Sequence, residues 1–114
     1  GADEALRALL EQAGRPTALF ALTNQLALGT LYGLKQAGLR CPEDISLLSF
    51  DDFDWAPLFS PPLTTVRQPT YELGQTAARL LMQMINGQPV EGPVALSVDL
   101  MLRGSCAEPP ARKR

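Results

Sequence analysis

The 114-residue chain contains no histidine, and its two cysteines, Cys41 and Cys106, lie far apart in the sequence. Histidine and cysteine are the usual zinc ligands, so a zinc site is effectively excluded. Without histidine, the Ser-His-Asp and Cys-His catalytic arrangements are excluded as well. Disulfides are rare in reducing compartments, so we expect two reduced thiols in a cytoplasmic protein. No cofactor is predicted.

Long apolar runs and a basic surface are also missing. No stretch approaches the roughly 20 apolar residues that span a bilayer, so no membrane segment is expected. The chain has ten basic and twelve acidic residues. Three of the basic residues are the last three of the chain, Arg112, Lys113 and Arg114. A surface that grips nucleic-acid phosphates should carry a basic stripe, and none is visible. The chain itself is therefore not expected to bind DNA.

The first half of the sequence alternates helices with short apolar runs. A helix begins near Asp3 and is expected to stop at Gly14, a strand covers 17–22, and a helix capped by Asn24 covers 25–38. A further strand is predicted over 45–50. This order predicts the α/β class, with a parallel sheet layered with helices.

The second half begins after a proline-rich stretch. Thr70 is predicted to cap an amphipathic helix that ends near Asn86. Alternating apolar residues over 94–102 then predict a half-exposed strand. Paired prolines and terminal charges predict a disordered tail over 106–114.

The helix at 25–37 has little polar circumference. Apolar side chains surround it, which indicates burial on more than one side. Gly29 and Gly33 lie one turn apart and permit close approach of another element, either a second layer or a second subunit. An equally good interpretation is that they only make room against the strand.

Three polar residues follow the predicted strands and are candidate ligand contacts. Thr23 and Asn24 follow the first strand, and Asp51 follows the second. Carboxyl ends of parallel strands meet at one edge of a sheet, where ligands bind in open α/β folds. An ionised Asp51 is a strong acceptor for ligand hydroxyls. Helix capping by Asn24, and bonds from Asp51 and Asp52 to loop amides, explain the same residues without a ligand.

Other residues near this edge have two interpretations. Asp54 either contributes to a site or caps a turn over 55–59. Trp55, beside Phe53, either stacks on a ligand or anchors the loop, and anchoring is favoured. Arg103 either pairs with a carboxylate or is solvated at a strand end. An aspartate-nucleophile phosphotransferase is a further alternative, because Asp52-Phe53-Asp54 has the spacing of its two carboxylates. Ala56 departs from that pattern.

Several motifs together resemble the effector-binding domain of the LacI/GalR family of transcriptional regulators. They are Phe20–Gly29, Gln36–Leu39, Pro42–Ser46, Asp51-Asp52, Pro61–Val66, Leu73-Gly74 and Leu102–Ser105. The resemblance implies a two-lobed, periplasmic-binding-protein-like (type I) fold. Residues 1–105 would form the C-terminal part of its effector-binding and dimerisation domain, with a crossover between lobes near 66–69.

The resemblance also implies roles for particular residues. Asp51 would contact a small polar effector, a sugar or a nucleoside. A homodimer interface would include Leu28, Leu31, Tyr32, Leu58 and Phe59. DNA would be bound only through a head domain absent from this chain. The family often has Asn-Asp in place of Thr23-Asn24 and glycine in place of Ser49, so the ligand class stays open.

The resulting prediction is ligand sensing rather than catalysis. An extracytoplasmic sugar-binding protein would share the fold and is the main alternative. The resemblance assigns the helix at 70–86 and the first part of the following strand to the other lobe. That helix is therefore expected either to fold back onto the chain's own sheet or to pack against another copy of the chain.

Overall fold

The computed structural model describes residues 1–111. Its helices are α1 (Ala2–Leu10), α2 (Asn24–Gln36) and α3 (Thr70–Ile85), and its strands are β1 (Ala18–Ala21), β2 (Ser46–Phe50), β3 (Thr64–Arg67) and β4 (Asp99–Met101). The strands form one sheet in the order β1-β2-β3-β4, and β2 runs parallel to both β1 and β3. The predicted parallel α/β architecture is confirmed. Within residues 1–111, no helix is long and apolar enough to span a membrane.

Helix starts differ from the predicted ones by one residue. Thr23, rather than Asn24, occupies the N-cap of α2, and its Oγ1 accepts the Leu26 N–H at 3.1 Å. The cap residue must be extended, and Thr23 has φ −143° and ψ 158°, whereas Asn24 is already helical. Likewise Thr70 is the first residue of α3 and Pro69 precedes it, so the predicted cap at Thr70 is wrong.

The core lies between α1, α2 and one face of the sheet. One cluster joins Leu6 of α1, Leu34 of α2 and Ile45, and a second cluster centres on Leu47. Side chains alternate across a strand, so the opposite face of β1 and β2 carries another apolar set. On that face Phe20 is 51% exposed and lies 6.5 Å, centroid to centroid, from the half-buried Phe50.

Helix α1 is the partner for which the two glycines of α2 make room. A Cβ on Gly29 would lie 2.7 Å from the Cβ of Ala2, and one on Gly33 would lie 2.6 Å from Cδ2 of Leu6. Both distances are far below van der Waals contact. The close approach expected at these glycines therefore occurs within the chain, between α1 and α2, and not against the strand.

Residues 68–99 form a second compact unit. No residue of α3 is buried within the described residues, and both expected outcomes for this helix stay predictions. The strand predicted over 94–102 is too long, because only Asp99–Met101 is extended and paired. A strand needs a neighbour for its backbone groups, and among the described residues none pairs with 94–98.

Candidate functional site

The predicted effector residues emerge at one edge of the sheet. Ala21 of β1 is paired in register with Ser49 of β2. Thr23 lies two residues after Ala21, and Asp51 lies two residues after Ser49. The two residues therefore follow their strands at equivalent positions. Asn24 comes next, as the first residue of α2. The carboxyl ends of β1 and β2 thus present a hydroxyl, an amide and a carboxylate along one edge.

Asp51 has a left-handed backbone, with φ of 73°. Among the described residues it is the only one besides glycine with positive φ. Such a conformation is uncommon, costs on the order of 1 kcal/mol, and persists where the surrounding structure enforces it. Asp tolerates it better than most residues do. Apart from the residue type itself, nothing in the sequence indicates this turn.

The Asp52 side chain has partners on β3 and on the segment after β4. Its carboxylate forms a bidentate ion pair with Arg103, with Oδ1 2.8 Å from Nη1 and Oδ2 3.1 Å from Nη2. Thr65 Oγ1 donates to Oδ1 at 2.7 Å. The Arg103 and Asp52 side chains are only 16% and 15% exposed. The Arg103 hydrogen bonds hold the pKa of Asp52 below its usual range, with further help from Thr65.

This ion pair decides between the interpretations of two residues. Arg103 pairs with a carboxylate and is not a solvated strand-end residue. Asp52 has its principal side-chain partners in Arg103 and Thr65, although the N–H of Phe53 also favours its charged form. Asp52 thus accepts a hydrogen bond from a loop amide, as expected, and also has an ion pair with Arg103 and a hydrogen bond from Thr65 that the sequence did not reveal.

The segment after β4 is bound to the middle of the sheet. Ser105 is fully buried, and its Oγ donates to the Leu47 carbonyl at 2.6 Å and accepts the Thr64 N–H at 2.7 Å. Its own carbonyl accepts the Leu47 N–H at 2.9 Å. Cys106 and Ala107, at the start of the predicted tail, also hydrogen-bond β2, while residues 112–114 lie outside the described residues. Sequence reasoning missed Ser105, because its bonding partners lie at least 41 residues away.

Ser49, where the family usually has glycine, lies beneath this edge. It is fully buried on β2, and its Oγ donates to the Phe50 carbonyl at 3.2 Å. The extra hydroxyl is thus satisfied locally and leaves the pairing of β2 with β3 intact.

The aromatic residues after Asp52 anchor their loop. Phe53 and Phe59 pack against the core cluster around Leu47. Trp55 contacts both rings, with its centroid 3.7 Å from that of Phe53 in a tilted arrangement and 4.8 Å from that of Phe59 edge-on. The favoured anchoring role fits this geometry. Trp55 itself occupies the N-cap of the short 3-10 helix Ala56–Leu58, which has no side-chain cap, so Asp54 does not cap it.

The residues predicted for a dimer interface divide into two groups. Leu28, Tyr32 and Leu58 are exposed, whereas Leu31 and Phe59 are partly buried against the core. Four of the five, all except Leu58, line a groove of about 800 Å³ between α2 and the loop at 59–61. Exposed apolar side chains and apolar side chains that pack on the core thus lie together on one surface.

The two cysteines lie close to the same backbone segment and are both free thiols. Cys41 Sγ donates to the Ser105 carbonyl at 3.5 Å, and Cys106 Sγ donates to the Leu47 carbonyl at 3.3 Å. Burial raises the pKa of the Cys41 thiol to about 11. Since the thiolate is the reactive form, Cys41 is a structural rather than a nucleophilic cysteine.

A separate cavity of about 490 Å³ opens on the exposed face of β1 and β2. None of the predicted effector residues lines it. Residues of β1 and β2, Thr17 before β1 and the segment that follows Ser105 line it: Thr17, Ala18, Leu19, Phe20, Ser46, Leu48, Cys106, Ala107 and Pro109. We therefore do not assign it to the effector.

Comparison with known proteins shows which family has this arrangement. The model of the periplasmic binding protein-like domain matches residues 1–106. The chain is 40% identical over 104 residues to the HTH-type transcriptional repressor CytR of Escherichia coli K12, covering 90% of the chain and 30% of that protein. The chain thus spans about a third of the length of the relatives it matches.

Solved structures agree with this result. A LacI family transcriptional regulator from Enterococcus faecium, with bound ribose, superposes with a TM-score of 0.80 at 37% identity, covering 98% of this chain and 40% of that one. A dimeric Lac repressor with a C-terminal deletion superposes with a TM-score of 0.82 at 34% identity, covering 95% and 40%. The names are those of regulators, which agrees with the prediction that the chain is not an enzyme. The chain belongs to the periplasmic binding protein-like domain family, and it corresponds to the C-terminal part of the effector-binding domain of LacI/GalR-type transcriptional regulators.

Proposed function

We propose that this chain is the part of a cytoplasmic LacI-type regulator that binds a small polar effector and forms a homodimer. The effector is a sugar or a nucleoside, and Asp51, Thr23 and Asn24 contact it. DNA is bound by a head domain outside this chain. Effector binding changes DNA binding because the effector has different affinities for two conformations of the regulator.

The observation that carries this proposal is the left-handed Asp51 at the carboxyl end of β2. A strained backbone at a strand end is typical of a functional position. The neighbouring Asp52 is engaged by Arg103 and Thr65, so we assign the ligand contact to Asp51 on its place at the strand end. The bound ribose of the Enterococcus faecium regulator supports a hydroxyl-rich effector.

The other candidate functions fit this chain less well. An extracytoplasmic sugar-binding protein would have the same fold, but the similar proteins described above are named as regulators and repressors. A phosphotransferase would need the first aspartate of Asp52-Phe53-Asp54 as its nucleophile. The bidentate contact of Asp52 with Arg103 occupies both carboxylate oxygens, which leaves that nucleophile poorly available.

Dimerisation is proposed through the groove beside α2. Exposed apolar residues gathered in one groove mark interaction surfaces, and a two-fold axis would place each groove against its copy. The dimeric Lac repressor supports this assignment, because its structure superposes on 95% of this chain.

The effector site is tested by changing Asp51 to Asn in the full-length protein. Asn also tolerates positive φ, so the backbone should be retained while the charge is lost. Hydrogen bonds to charged groups contribute about 1.5–3 kcal/mol, so affinity should fall on the order of tenfold or more. Isothermal titration calorimetry with D-ribose and, separately, adenosine would measure the change.

Asp54→Asn is the matched control, because it removes the same charge from the exposed part of the same loop. It should leave effector affinity within about twofold of wild type. Thermal unfolding would confirm that both variants are folded. Equal affinities for wild type and Asp51→Asn would refute the proposed role of Asp51.

A further inference from the structure

We propose that Arg103 is a positioning residue for the effector site, and that it acts through Asp52 to hold the left-handed turn at Asp51. The inference rests on the proposed effector role of Asp51. It assigns to Arg103 no contact with the effector itself.

The geometry between Arg103 and Asp52 is that of a rigid clamp. Both carboxylate oxygens are bonded to the guanidinium, at 2.8 and 3.1 Å. The same Nη1 also donates to the Leu63 carbonyl at 2.8 Å and to Thr65 Oγ1 at 3.2 Å. Parallel bidentate bonds fix the orientation of both groups, and low exposure protects them from competing water.

The clamp is supported by a fixed backbone. The Arg103 N–H donates to Thr64 Oγ1 at 2.9 Å, and that hydroxyl donates back to the Arg103 carbonyl at 3.1 Å. Two residues later, the buried Ser105 joins Leu47 to Thr64. The guanidinium is therefore held relative to β2 and β3, the strands whose ends define the site.

Asp52 transmits this rigidity to Asp51 through one peptide bond. With its carboxylate bound to Arg103 and Thr65, Asp52 has little freedom to rotate, so the peptide between the two aspartates is also fixed. A left-handed residue relaxes unless its surroundings hold it. Loss of the clamp should therefore let Asp51 leave the conformation that presents its carboxylate at the edge of the sheet.

Arg103→Lys is the informative substitution because it keeps the charge and removes the bidentate geometry. An ammonium group is a point charge and cannot reproduce the planar fork. In the full-length protein, Arg103→Lys should weaken binding of D-ribose, or of adenosine, by about five- to tenfold. Thr65→Val, a near-isosteric change that removes one bond to Asp52, should weaken it about twofold.

A double-mutant cycle separates positioning from a general structural role. If Arg103 acts through Asp51, Arg103→Lys should have almost no further effect, less than about twofold, in the Asp51→Asn background. Equal losses in both backgrounds would overturn the positioning role while leaving the effector role of Asp51 intact. Wild-type affinity in Asp51→Asn would instead overturn both.

A ligand-free readout tests the same claim independently. Hydrogen–deuterium exchange in peptides that cover residues 51–54 should accelerate about fivefold or more in Arg103→Lys, with a smaller acceleration in Thr65→Val. Exchange in α2 should not change. Unchanged exchange at 51–54 in both variants, or equal acceleration throughout the protein, would refute the inference. If Arg103→Lys fails to fold, Thr65→Val alone supplies both readouts.

Discussion

Adjacent aspartates at the end of β2 have different surroundings, and their chemistry differs accordingly. Asp52 is drawn into the protein by Arg103 and Thr65, whereas Asp51 takes the left-handed turn at the edge of the sheet. The position of Asp51 was predictable, because an acidic residue directly follows a buried apolar strand. The Asp52–Arg103 pair was not, because 51 residues separate the partners and other acidic residues stand nearby.

The ion pair predicts how stability depends on pH at this residue. The pKa of Asp52 is lowered in the folded protein, chiefly by the Arg103 hydrogen bonds. A lowered pKa stabilises the fold fully above the unfolded value, about 3.9, and this contribution disappears as pH falls through the folded pKa. Asp52→Asn should therefore lower the free energy of unfolding by roughly 1.5–3 kcal/mol at pH 7 and by less below about pH 4.

Urea unfolding of wild type and Asp52→Asn at pH 7 and pH 3 would measure this difference. Asp54→Asn serves as the control, and it should change stability by less than about 0.5 kcal/mol at either pH. If Asp52→Asn lowers the free energy of unfolding by as much at pH 3 as at pH 7, the charge on Asp52 does not stabilise the fold.

At the scale of elements, α1 and α2 pack through glycine. The pair Gly29 and Gly33 was recognisable in the sequence as a place of close approach. Its partner was not, because a missing side chain does not specify what fills the space. The structure gives the partner as Ala2 and Leu6 of α1.

Gly29→Ala should destabilise the protein, because the new Cβ would lie 2.7 Å from the Ala2 Cβ. Overpacking of this kind typically costs about 1–3 kcal/mol. Gly74→Ala is the matched control in α3, where a Cβ meets nothing within 4 Å. That change should stabilise the helix by up to about 1 kcal/mol. Differential scanning calorimetry should show shifts of opposite sign, and a stabilised Gly29→Ala would show that the two helices are not closely packed.

Elements in residues 68–99 show the limits of local patterns. The helix was predictable from its amphipathic spacing, and α3 matches it to within one residue at its C-terminal end. The strand was predicted too long, because alternation indicates a half-exposed strand only if a neighbouring strand completes its hydrogen bonds. Val94 and Val98 are about half exposed, as the alternation predicts, but residues 94–98 have no paired strand among the described residues.

At the scale of the whole molecule, the groove beside α2 is expected to join two copies. Leu31 contacts the core, so substitution there would also disturb folding. Leu28→Glu is cleaner, since Leu28 is 49% exposed. Charge in an apolar contact is costly, and the variant should be monomeric in the full-length protein at micromolar concentration, where wild type is dimeric.

Sedimentation velocity would measure this change. Leu26→Glu is a matched control, because Leu26 is 41% exposed and lies on the same helix but does not line the groove. It should leave the dimer intact. Dissociation by both substitutions, or by neither, would argue against the groove as the interface.

The central claim is that Asp51 receives the effector, and a crystal structure of the full-length protein with its bound effector tests it most directly. We expect an Asp51 carboxylate oxygen about 2.5–3.0 Å from a ligand hydroxyl, with the left-handed backbone retained and Asp52 still paired with Arg103. A ligand bound elsewhere, with no polar atom within about 4 Å of Asp51, would contradict the account.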